Sequence, residues 1–160
     1  QKVHALGCKV IAYDVSAQHK KYESNLSFIE FVEFEQLVTQ ADIISIHCPS
    51  DQAMNLINES VLKRMKPTSY LINVSRGGIV DEDALYEALA SNHIAGAALD
   101  VSVKEPITTD SPLLTLENFI CTPHMAWYSE QAAQELKRKV AEEAVRYVKN
   151  EKLHYPVNQI

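Results

Sequence analysis

The sequence predicts an α/β protein with a doubly wound parallel sheet, and three observations lead to that fold class. Segments with the apolar pattern of strands alternate with segments of helical periodicity. The strand segments are almost continuously apolar, which is typical of parallel strands covered on both faces. Polar residues stand at or just beyond the ends of five of them: Asp14, His47, Arg76, Asp100 and His124. Because ligands bind at the carboxyl ends of such strands, we expect the functional site at that edge.

Six strands are predicted from short apolar runs. They cover residues 9–13, 28–32, 42–47, 70–73, 94–99 and 119–121. Residues 1–7 have the pattern of a helix end, with Gly7 as the residue that follows the last turn. Residues 15–27 are predicted as a polar loop or a weak helix. No internal repeat or clear linker interrupts the alternation of strand and helix.

Four further helices are predicted from capping residues and apolar periodicity. One covers residues 33–40, and Asn58, Asp81 and Ser129 can each cap another, because their side chains accept from free backbone N–H groups. The helix after Asn58 has to stop before Pro67. The apolar faces consist of Phe34, Leu37 and Val38; of Val61, Leu62 and Met65; of Ala84, Leu85, Ala88 and Leu89; and of Ala133, Leu136, Val140, Ala144 and Val148.

Composition excludes several classes of protein. The chain has 160 residues, 46% of them hydrophobic, so a single domain with a real core is expected. A net charge of −6 gives no electrostatic footprint for nucleic acid. No apolar run is long enough for a membrane span. Cys8, Cys48 and Cys121 are far apart in apolar contexts, which favours buried reduced thiols in a cytoplasmic protein over disulfides or a zinc site, and we expect no metal.

The most informative segment is Asn73-Val74-Ser75-Arg76-Gly77-Gly78-Ile79-Val80-Asp81, which follows the apolar run Tyr70-Leu71-Ile72. Two adjacent glycines remove side chains where a backbone must turn tightly or approach a ligand closely. Arg76 offers a planar fork of N–H donors that matches a carboxylate. The segment therefore predicts a carboxylate-binding loop at the end of a buried strand.

Glu105 and His124 add a candidate acid/base pair to this loop. His124 follows Thr122-Pro123 at the end of the last strand, where an imidazole can exchange a proton with a bound substrate. Each residue also has a structural alternative. Arg76 could form a surface ion pair, His124 could pack or cap, and Glu105 could be solvated in its turn.

Other candidates have alternatives of the same kind. Asp14 and Asp100 could each cap the turn that follows. Trp127 could serve packing instead of contacting substrate, and Cys48 could simply pack in its loop.

Five motifs together resemble the NAD-binding domain of the D-isomer-specific 2-hydroxyacid dehydrogenases, the phosphoglycerate dehydrogenase-like family. They are His47-Cys48-Pro49, the segment 73–81, Gly96-Ala97-Ala98-Leu99-Asp100-Val101, Lys104-Glu105-Pro106 and Thr122-Pro123-His124. The resemblance covers nearly the whole chain. Residues 124–130 are most similar to the C-terminal-binding-protein-type branch. The resemblance implies a Rossmann-type sheet.

The resemblance also implies a role for each catalytic candidate. Arg76 would bind the carboxylate and carbonyl of a 2-oxo acid. His124 would donate a proton to the carbonyl oxygen during reduction and accept it in the reverse direction, and Glu105 would hydrogen-bond and orient that histidine. The implied activity is that of an NAD-dependent oxidoreductase acting on CH–OH groups.

NAD is the implied cofactor. The residues implied to contact it are Asp14, His47, Cys48, Pro49, Val74, Ser75, Arg76, Asp100, His124 and Trp127. Asp14 would accept hydrogen bonds from the ribose hydroxyls and repel a 2′-phosphate, and no Lys or Arg follows it directly, so NAD is favoured over NADP.

Two elements of the family's cofactor fold have no counterpart in the sequence. These are the glycine-rich phosphate loop and the first, central strand, since only 13 residues precede Asp14. We expect that strand position between the strands at 9–13 and 42–47. The chain would have to close the gap, borrow a strand or belong to a longer protein. Residues 1–160 alone are expected to bind NAD(H) weakly, with no measurable turnover.

The domain organisation that follows is a partial NAD-binding domain over 1–150 and a tail over 151–160 that leads toward an absent substrate domain. The expected partner is a small 2-oxo or 2-hydroxy acid, with no direct nucleic acid or membrane partner, and the complete protein is expected to be a homodimer. A second hypothesis is an NAD(H)-sensing interaction protein of the co-repressor kind with little or no catalysis. The sequence does not identify the hydroxy acid.

Overall fold

The computed structural model describes residues 1–15, 27–51 and 53–157, which form two compact units. The first unit is Gln1–Pro123 and the second is His124–Ile160. The loop or weak helix predicted over 15–27 falls mainly on residues 16–26, outside the described residues. The division that the sequence predicts after residue 150 stays a prediction.

The first unit alternates strands and helices as the sequence predicts. Its strands are β1 (Val10–Ala12), β2 (Ile29–Phe31), β3 (Ile43–Ile46), β4 (Tyr70–Asn73), β5 (Gly96–Leu99) and β6 (Phe119–Cys121). Its helices are α1 (Lys2–Ala5), α2 (Phe34–Gln40), α3 (Glu59–Leu62), α4 (Glu82–Ala90) and a 3₁₀ helix (Pro112–Thr115). The 3₁₀ helix is not predicted from the sequence. Ile94, predicted as strand, precedes β5 but is fully buried.

The strands form two parallel sheets instead of one. β1 pairs with β2, while the second sheet has the order β3-β4-β5-β6. β1 and β3 are not hydrogen-bonded to each other, although the sequence predicts one further strand position between them. The expected gap in the doubly wound order is therefore present, and in the described residues it is not closed by direct pairing.

The core of the first unit lies on one face of the four-stranded sheet. The register aligns Ile44 with Leu71, Leu71 with Ala97, and Ala97 with Phe119, and this row is buried. Helices α3 and α4 supply buried apolar side chains to the same core: Val61, Leu62, Leu85, Ala88 and Leu89. Each valine or leucine among them contributes about 1.5–3 kcal/mol by leaving water, and the alanine contributes less.

The opposite face of this sheet is more open than the apolar pattern predicts. Ile43 is 62% exposed, Tyr70 50% and Ile120 64%. The Tyr70 ring lies over Gly96, where an added Cβ would come within 3.1 Å of it. The sequence predicts a sheet that is covered on both faces. Among the described residues one face is covered and the other is more open.

The predicted helix caps are present. Asn58, Asp81 and Ser129 each accept a hydrogen bond from the backbone N–H three residues further on. Gly7 follows α1 with φ +89°, a left-handed conformation that costs glycine little. These local signals fix where the helices begin and end.

The second unit contains α5 (Glu130–Val148) and a tail that returns to it. Glu143 Oε2 accepts from the backbone N–H groups of His154 and Tyr155 at 2.9 and 3.2 Å. The stripe predicted as the apolar face of α5 is not buried: Val140 is 63% exposed and Val148 80%. Helical periodicity predicts such a stripe but does not say what covers it.

The prediction of buried thiols is wrong for Cys8, which is exposed, while Cys48 and Cys121 are half-buried. None of the three cysteines is in a disulfide. An apolar neighbourhood in sequence does not ensure burial, because Cys8 follows directly on the left-handed Gly7 at a helix end. In the described part of the chain, no helix combines the length and apolar character that a bilayer span requires.

Candidate functional site

A cleft of about 520 Å³ opens beyond the carboxyl ends of β3 and β4. Its walls are the loops that follow these two strands, and it is lined by His47, Pro49, Ser50, Asp51, Val74, Ser75 and Arg76. Five of these residues are predicted from the sequence, while Ser50 and Asp51 are not. The cleft lies at the edge of a parallel sheet where ligands bind, and its volume is typical of small-molecule sites.

Asn73 fixes the loop that carries Arg76. Its side chain is 1% exposed and makes two hydrogen bonds inside the loop. Nδ2 donates to the carbonyl oxygen of Arg76 at 2.9 Å, and Oδ1 accepts from the N–H of Ser75 at 3.0 Å. One buried amide therefore closes the turn at both ends.

Ser75 joins the two walls of the cleft. Its hydroxyl donates to the backbone carbonyl of Cys48 in the loop after β3. Next to it, Nη1 of the exposed Arg76 donates to the carbonyl of Ser75 at 2.7 Å. Cys48 thus supports the cleft through its backbone, not through its thiol. On the same wall, Nε2 of His47 lies 2.9 Å from the hydroxyl of Ser45.

The two positions after Arg76 require glycine for different structural reasons. A Cβ at Gly77 would overlap the backbone carbonyl of Ser102, so this position has no room for a side chain. Gly78 has φ +77°, which favours glycine. The close approach at Gly77 brings the turn that carries Glu105 against the Arg76 loop.

The turn around Glu105 is held by its own polar groups and by α4. The N–H of Ser102 donates to Oε1 of Glu105 at 3.2 Å, and the Ser102 hydroxyl donates to the carbonyl of Lys104 at 2.8 Å. The N–H of Val103 donates to Oε1 of Glu82 at 2.6 Å. Glu105 is exposed, and its bond to Pro106 is cis.

Asp100 is a carboxylate that is only 5% exposed, directly after β5. Thr122 donates its hydroxyl to Oδ1 of Asp100, and the N–H of Asp100 donates to the carbonyl of Asn73 at 2.9 Å. Burial raises the pKa of the neighbouring Cys121 thiol above its usual 9.0, and the negative charges of Asp100 and Glu82 raise it further. Cys121 is therefore a poor nucleophile at neutral pH.

Asp14 follows β1, a strand of the smaller sheet. It is exposed two residues beyond β1 and is not among the residues that line the cleft. Sequence and structure agree that it follows a strand end.

His124 and Trp127 belong to the second unit. His124 has φ +51°, a left-handed conformation that is uncommon for residues other than glycine and asparagine. The indole N–H of Trp127 donates to the carbonyl of His124 at 2.9 Å. Strained backbone of this kind costs about 1–3 kcal/mol and occurs often at functional sites.

Several supporting residues are not predicted from the sequence: Asn73, Glu82, Ser102 and Thr122. Their hydrogen bonds depend on how loops meet, and no local pattern marks these bonds, although Asn73 and Thr122 lie within two of the quoted motifs. No group of three or more His, Cys, Asp or Glu residues placed to hold a metal ion occurs among the described residues.

The chain is similar to known proteins over nearly its full length. Residues 1–126 match the family described as D-isomer specific 2-hydroxyacid dehydrogenase, NAD binding domain. A glyoxylate reductase of Korarchaeum cryptofilum is 38% identical over 160 residues, which are 99% of this chain and 48% of that protein. A D-3-phosphoglycerate dehydrogenase of Archaeoglobus fulgidus is 36% identical over 99% of this chain and 30% of that protein.

A solved structure has the same fold. The D-lactate dehydrogenase of Lactobacillus jensenii, determined with NAD⁺, superposes with a TM-score of 0.88 and 28% sequence identity. The alignment covers 99% of this chain and 51% of that one. The chain thus spans about half the length of the glyoxylate reductase and of this dehydrogenase, and less of the phosphoglycerate dehydrogenase.

Proposed function

The chain belongs to the D-isomer specific 2-hydroxyacid dehydrogenase family, whose NAD-binding domain it matches, and on that premise we propose that the protein transfers hydride between NAD(H) and a D-2-hydroxy acid or 2-oxo acid. The observation that carries the proposal is the Arg76 loop. Its guanidinium lines an open cleft at the strand ends, while its backbone is fixed by Asn73 and tied to the opposite wall by Ser75.

In this proposal Arg76 binds the substrate. A guanidinium can donate two parallel hydrogen bonds to a carboxylate, which fixes its orientation as well as its position. A loop that is already rigid loses little conformational entropy when substrate binds. More of the binding free energy is then available to orient the reacting carbonyl.

His124 and Glu105 are proposed to manage the proton. Reduction of a ketone requires one proton at oxygen, and His124 donates it there and takes it back in the reverse reaction. Glu105 orients the imidazole. The left-handed backbone of His124, held by Trp127, supports a fixed direction for this side chain.

The residues present fit a dinucleotide. Val74 and Ser75 line one side of the cleft and His47 and Pro49 the other, and all four are among the residues proposed to contact NAD. Asp14 would accept hydrogen bonds from the ribose hydroxyls, Asp100 would lie toward the nicotinamide, and Trp127 would line the substrate pocket. When bound, the nicotinamide supplies the hydride.

Turnover with a panel of 2-oxo acids tests the proposal. NADH absorbance would be followed with glyoxylate, pyruvate and hydroxypyruvate, in the complete protein that carries this chain and in residues 1–160 alone. We expect turnover of at least one acid in the complete protein and none in residues 1–160. Failure of the complete protein with every acid, despite saturable NADH binding, would contradict the proposed activity.

The alternative is an NAD(H)-sensing interaction protein. Residues 124–130 favour it, because they resemble the branch that contains co-repressors. Light scattering with and without NADH distinguishes the two functions: a change of mass on NADH binding without turnover favours the sensor. The homodimer and the cytoplasmic location stay predictions. The mass measured without NADH tests the first, and cell fractionation tests the second.

A further inference from the structure

One peptide unit, between Ser102 and Val103, is held from two sides by elements outside its own turn. On one side its carbonyl lies against Gly77, where a Cβ would overlap it. On the other side its N–H donates to Oε1 of Glu82, the first residue of α4, at 2.6 Å. The peptide is therefore fixed between the Arg76 loop and the start of a helix.

The same turn holds Glu105. The N–H of Ser102, one peptide earlier, donates to Oε1 of Glu105 at 3.2 Å. Two successive backbone amides thus bind two carboxylates, and the one to Glu82 is the shorter. Charge-assisted hydrogen bonds of this length are the stronger ones, so Glu82 anchors the turn more firmly than Glu105 itself does.

We propose that Glu82 is a positioning residue for Glu105. By fixing the Ser102–Val103 peptide against Gly77, the Glu82 carboxylate sets where the Glu105 carboxylate lies relative to the Arg76 loop. The inference rests on the proposed function, in which Glu105 orients the catalytic histidine. Glu82 itself touches neither substrate nor cofactor in this arrangement.

Glu82→Ala tests the proposal in the complete protein. We expect kcat/KM for the 2-oxo acid to fall about tenfold, a part of the ~10²-fold that a misplacement of about 1 Å can cost. The Kd for NADH should stay within about twofold, because the proposed cofactor contacts lie elsewhere. The pH at which kcat/KM falls should move lower, because a displaced Glu105 supports the protonated histidine less well.

Three further variants test the charge of Glu82, the specificity of the effect and the other side of the same peptide. Glu82→Gln keeps an oxygen that can accept from Val103 and should restore most of the activity. Asp83→Ala removes an exposed charge from the same helical turn and should leave the pH profile unchanged. Gly77→Ala pushes the same peptide from its other side and should move the pH profile as Glu82→Ala does.

Amide hydrogen exchange in residues 1–160 tests the anchor without any turnover. In Glu82→Ala the amides of both Ser102 and Val103 should exchange at least about tenfold faster, because the first depends on Glu105 and the second on Glu82. Faster exchange at Val103 alone, or an unchanged pH profile in an active Glu82→Ala variant, overturns the proposal. Absence of turnover in the unmutated complete protein overturns the proposed function instead, and exchange at Ser102 still decides the inference.

Discussion

Asn73 organises the candidate site although its side chain is almost fully buried. Its amide gives one hydrogen bond and receives another, both within the loop that presents Arg76. An aspartate carboxylate cannot donate a hydrogen bond, and a leucine side chain can neither donate nor accept one. Either replacement therefore leaves a buried backbone group of the loop without its partner. Such a group costs about 1–3 kcal/mol. Sequence reasoning finds Arg76 from its chemistry, whereas the role of Asn73 depends on the shape of the turn.

His124→Ala is expected to lower kcat by about 10²–10⁴-fold in the complete protein, because the reaction loses its proposed acid and base. Saturable NADH binding should persist in the variant, because the other proposed cofactor contacts remain, and a fluorescence titration with NADH measures it. His93→Ala is the control for loss of a histidine outside the proposed site. Near-normal turnover in the His124 variant would remove the proposed mechanism.

Asp14→Ala is expected to narrow the preference for NADH over NADPH. The carboxylate would accept hydrogen bonds from the ribose hydroxyls of NADH and repel the 2′-phosphate of NADPH. Its loss should therefore weaken NADH binding and strengthen NADPH binding. The ratio of kcat/KM for the two cofactors measures the change. Equal kcat/KM values for NADH and NADPH in the unmutated protein would contradict the assigned role, and Asp83→Ala controls for loss of an exposed carboxylate outside the cleft.

At the scale of elements, local rules account for the helices and strands and fail where loops meet. The caps Asn58, Asp81 and Ser129 were predictable because a cap depends on three residues of chain. The bond between Glu82 and Val103 joins residues 21 apart, and no periodicity marks it. The sequence therefore predicts the strand-end positions of the candidate site but not the supports beneath it.

The exposed stripe on α5 has the same explanation. A hydrophobic face is a local property of the sequence, whereas its burial depends on a second surface. Beside this stripe, seven residues after Leu136, α5 carries a polar contact that the sequence does not indicate. There Glu143 binds two backbone N–H groups of the tail and pairs with Arg146 at 2.7 Å.

Acid should release the tail from α5. Burial raises the pKa of Glu143, but hydrogen bonds from the tail amides and from Arg146 outweigh it and leave the pKa below the usual 4.5. A lowered pKa in the folded state means that the stabilisation is present above about pH 4.5 and is lost as pH falls through the lower value. The protection factors of the His154 and Tyr155 amides, which correct for the intrinsic slowing of exchange in acid, should therefore fall below that range.

Glu143→Gln is the matched variant for the tail. It removes the charge and keeps an acceptor, so the tail amides should exchange faster already at neutral pH and lose their dependence on acid. Glu142→Gln changes a neighbouring residue that pairs with Arg138 on the same helix and should leave the tail amides unchanged. Equal protection factors of the tail amides at pH 3 and pH 7 in the unmutated chain would contradict the role of Glu143.

For the whole molecule, the division into two sheets determines where the fold is most stable. Within the described residues, β4 and β5 have hydrogen-bonded neighbours on both sides, whereas β1, β2, β3 and β6 have one neighbour each. A two-stranded sheet is only marginally stable by itself. Stability is therefore expected to be highest in β4, which ends at Asn73, and in β5, which Asp100 follows.

Native-state hydrogen exchange should show this order. Amides of residues 70–73 and 96–99 should be the slowest, and those of 10–12 and 29–31 at least about tenfold faster, because the smaller sheet can open without the larger one. Leu71→Ala should speed exchange throughout the larger sheet, since it opens a cavity in the core. Equal protection of both sheets would show that they unfold as one unit.

The two sheets also carry the proposed cofactor-selecting and substrate-binding residues separately, so mutations that alter one choice fall in a different part of the fold from mutations that alter the other. Asp14, proposed to select the cofactor, follows the smaller sheet, whereas Arg76 and Glu105, proposed to act on the substrate, are tied to the larger one through Asn73 and Gly77. A lineage could thus alter its preference for one reducing cofactor by mutations near β1 without disturbing the residues that recognise the acid. Cofactor choice and substrate choice would then diverge independently among descendants of one ancestor.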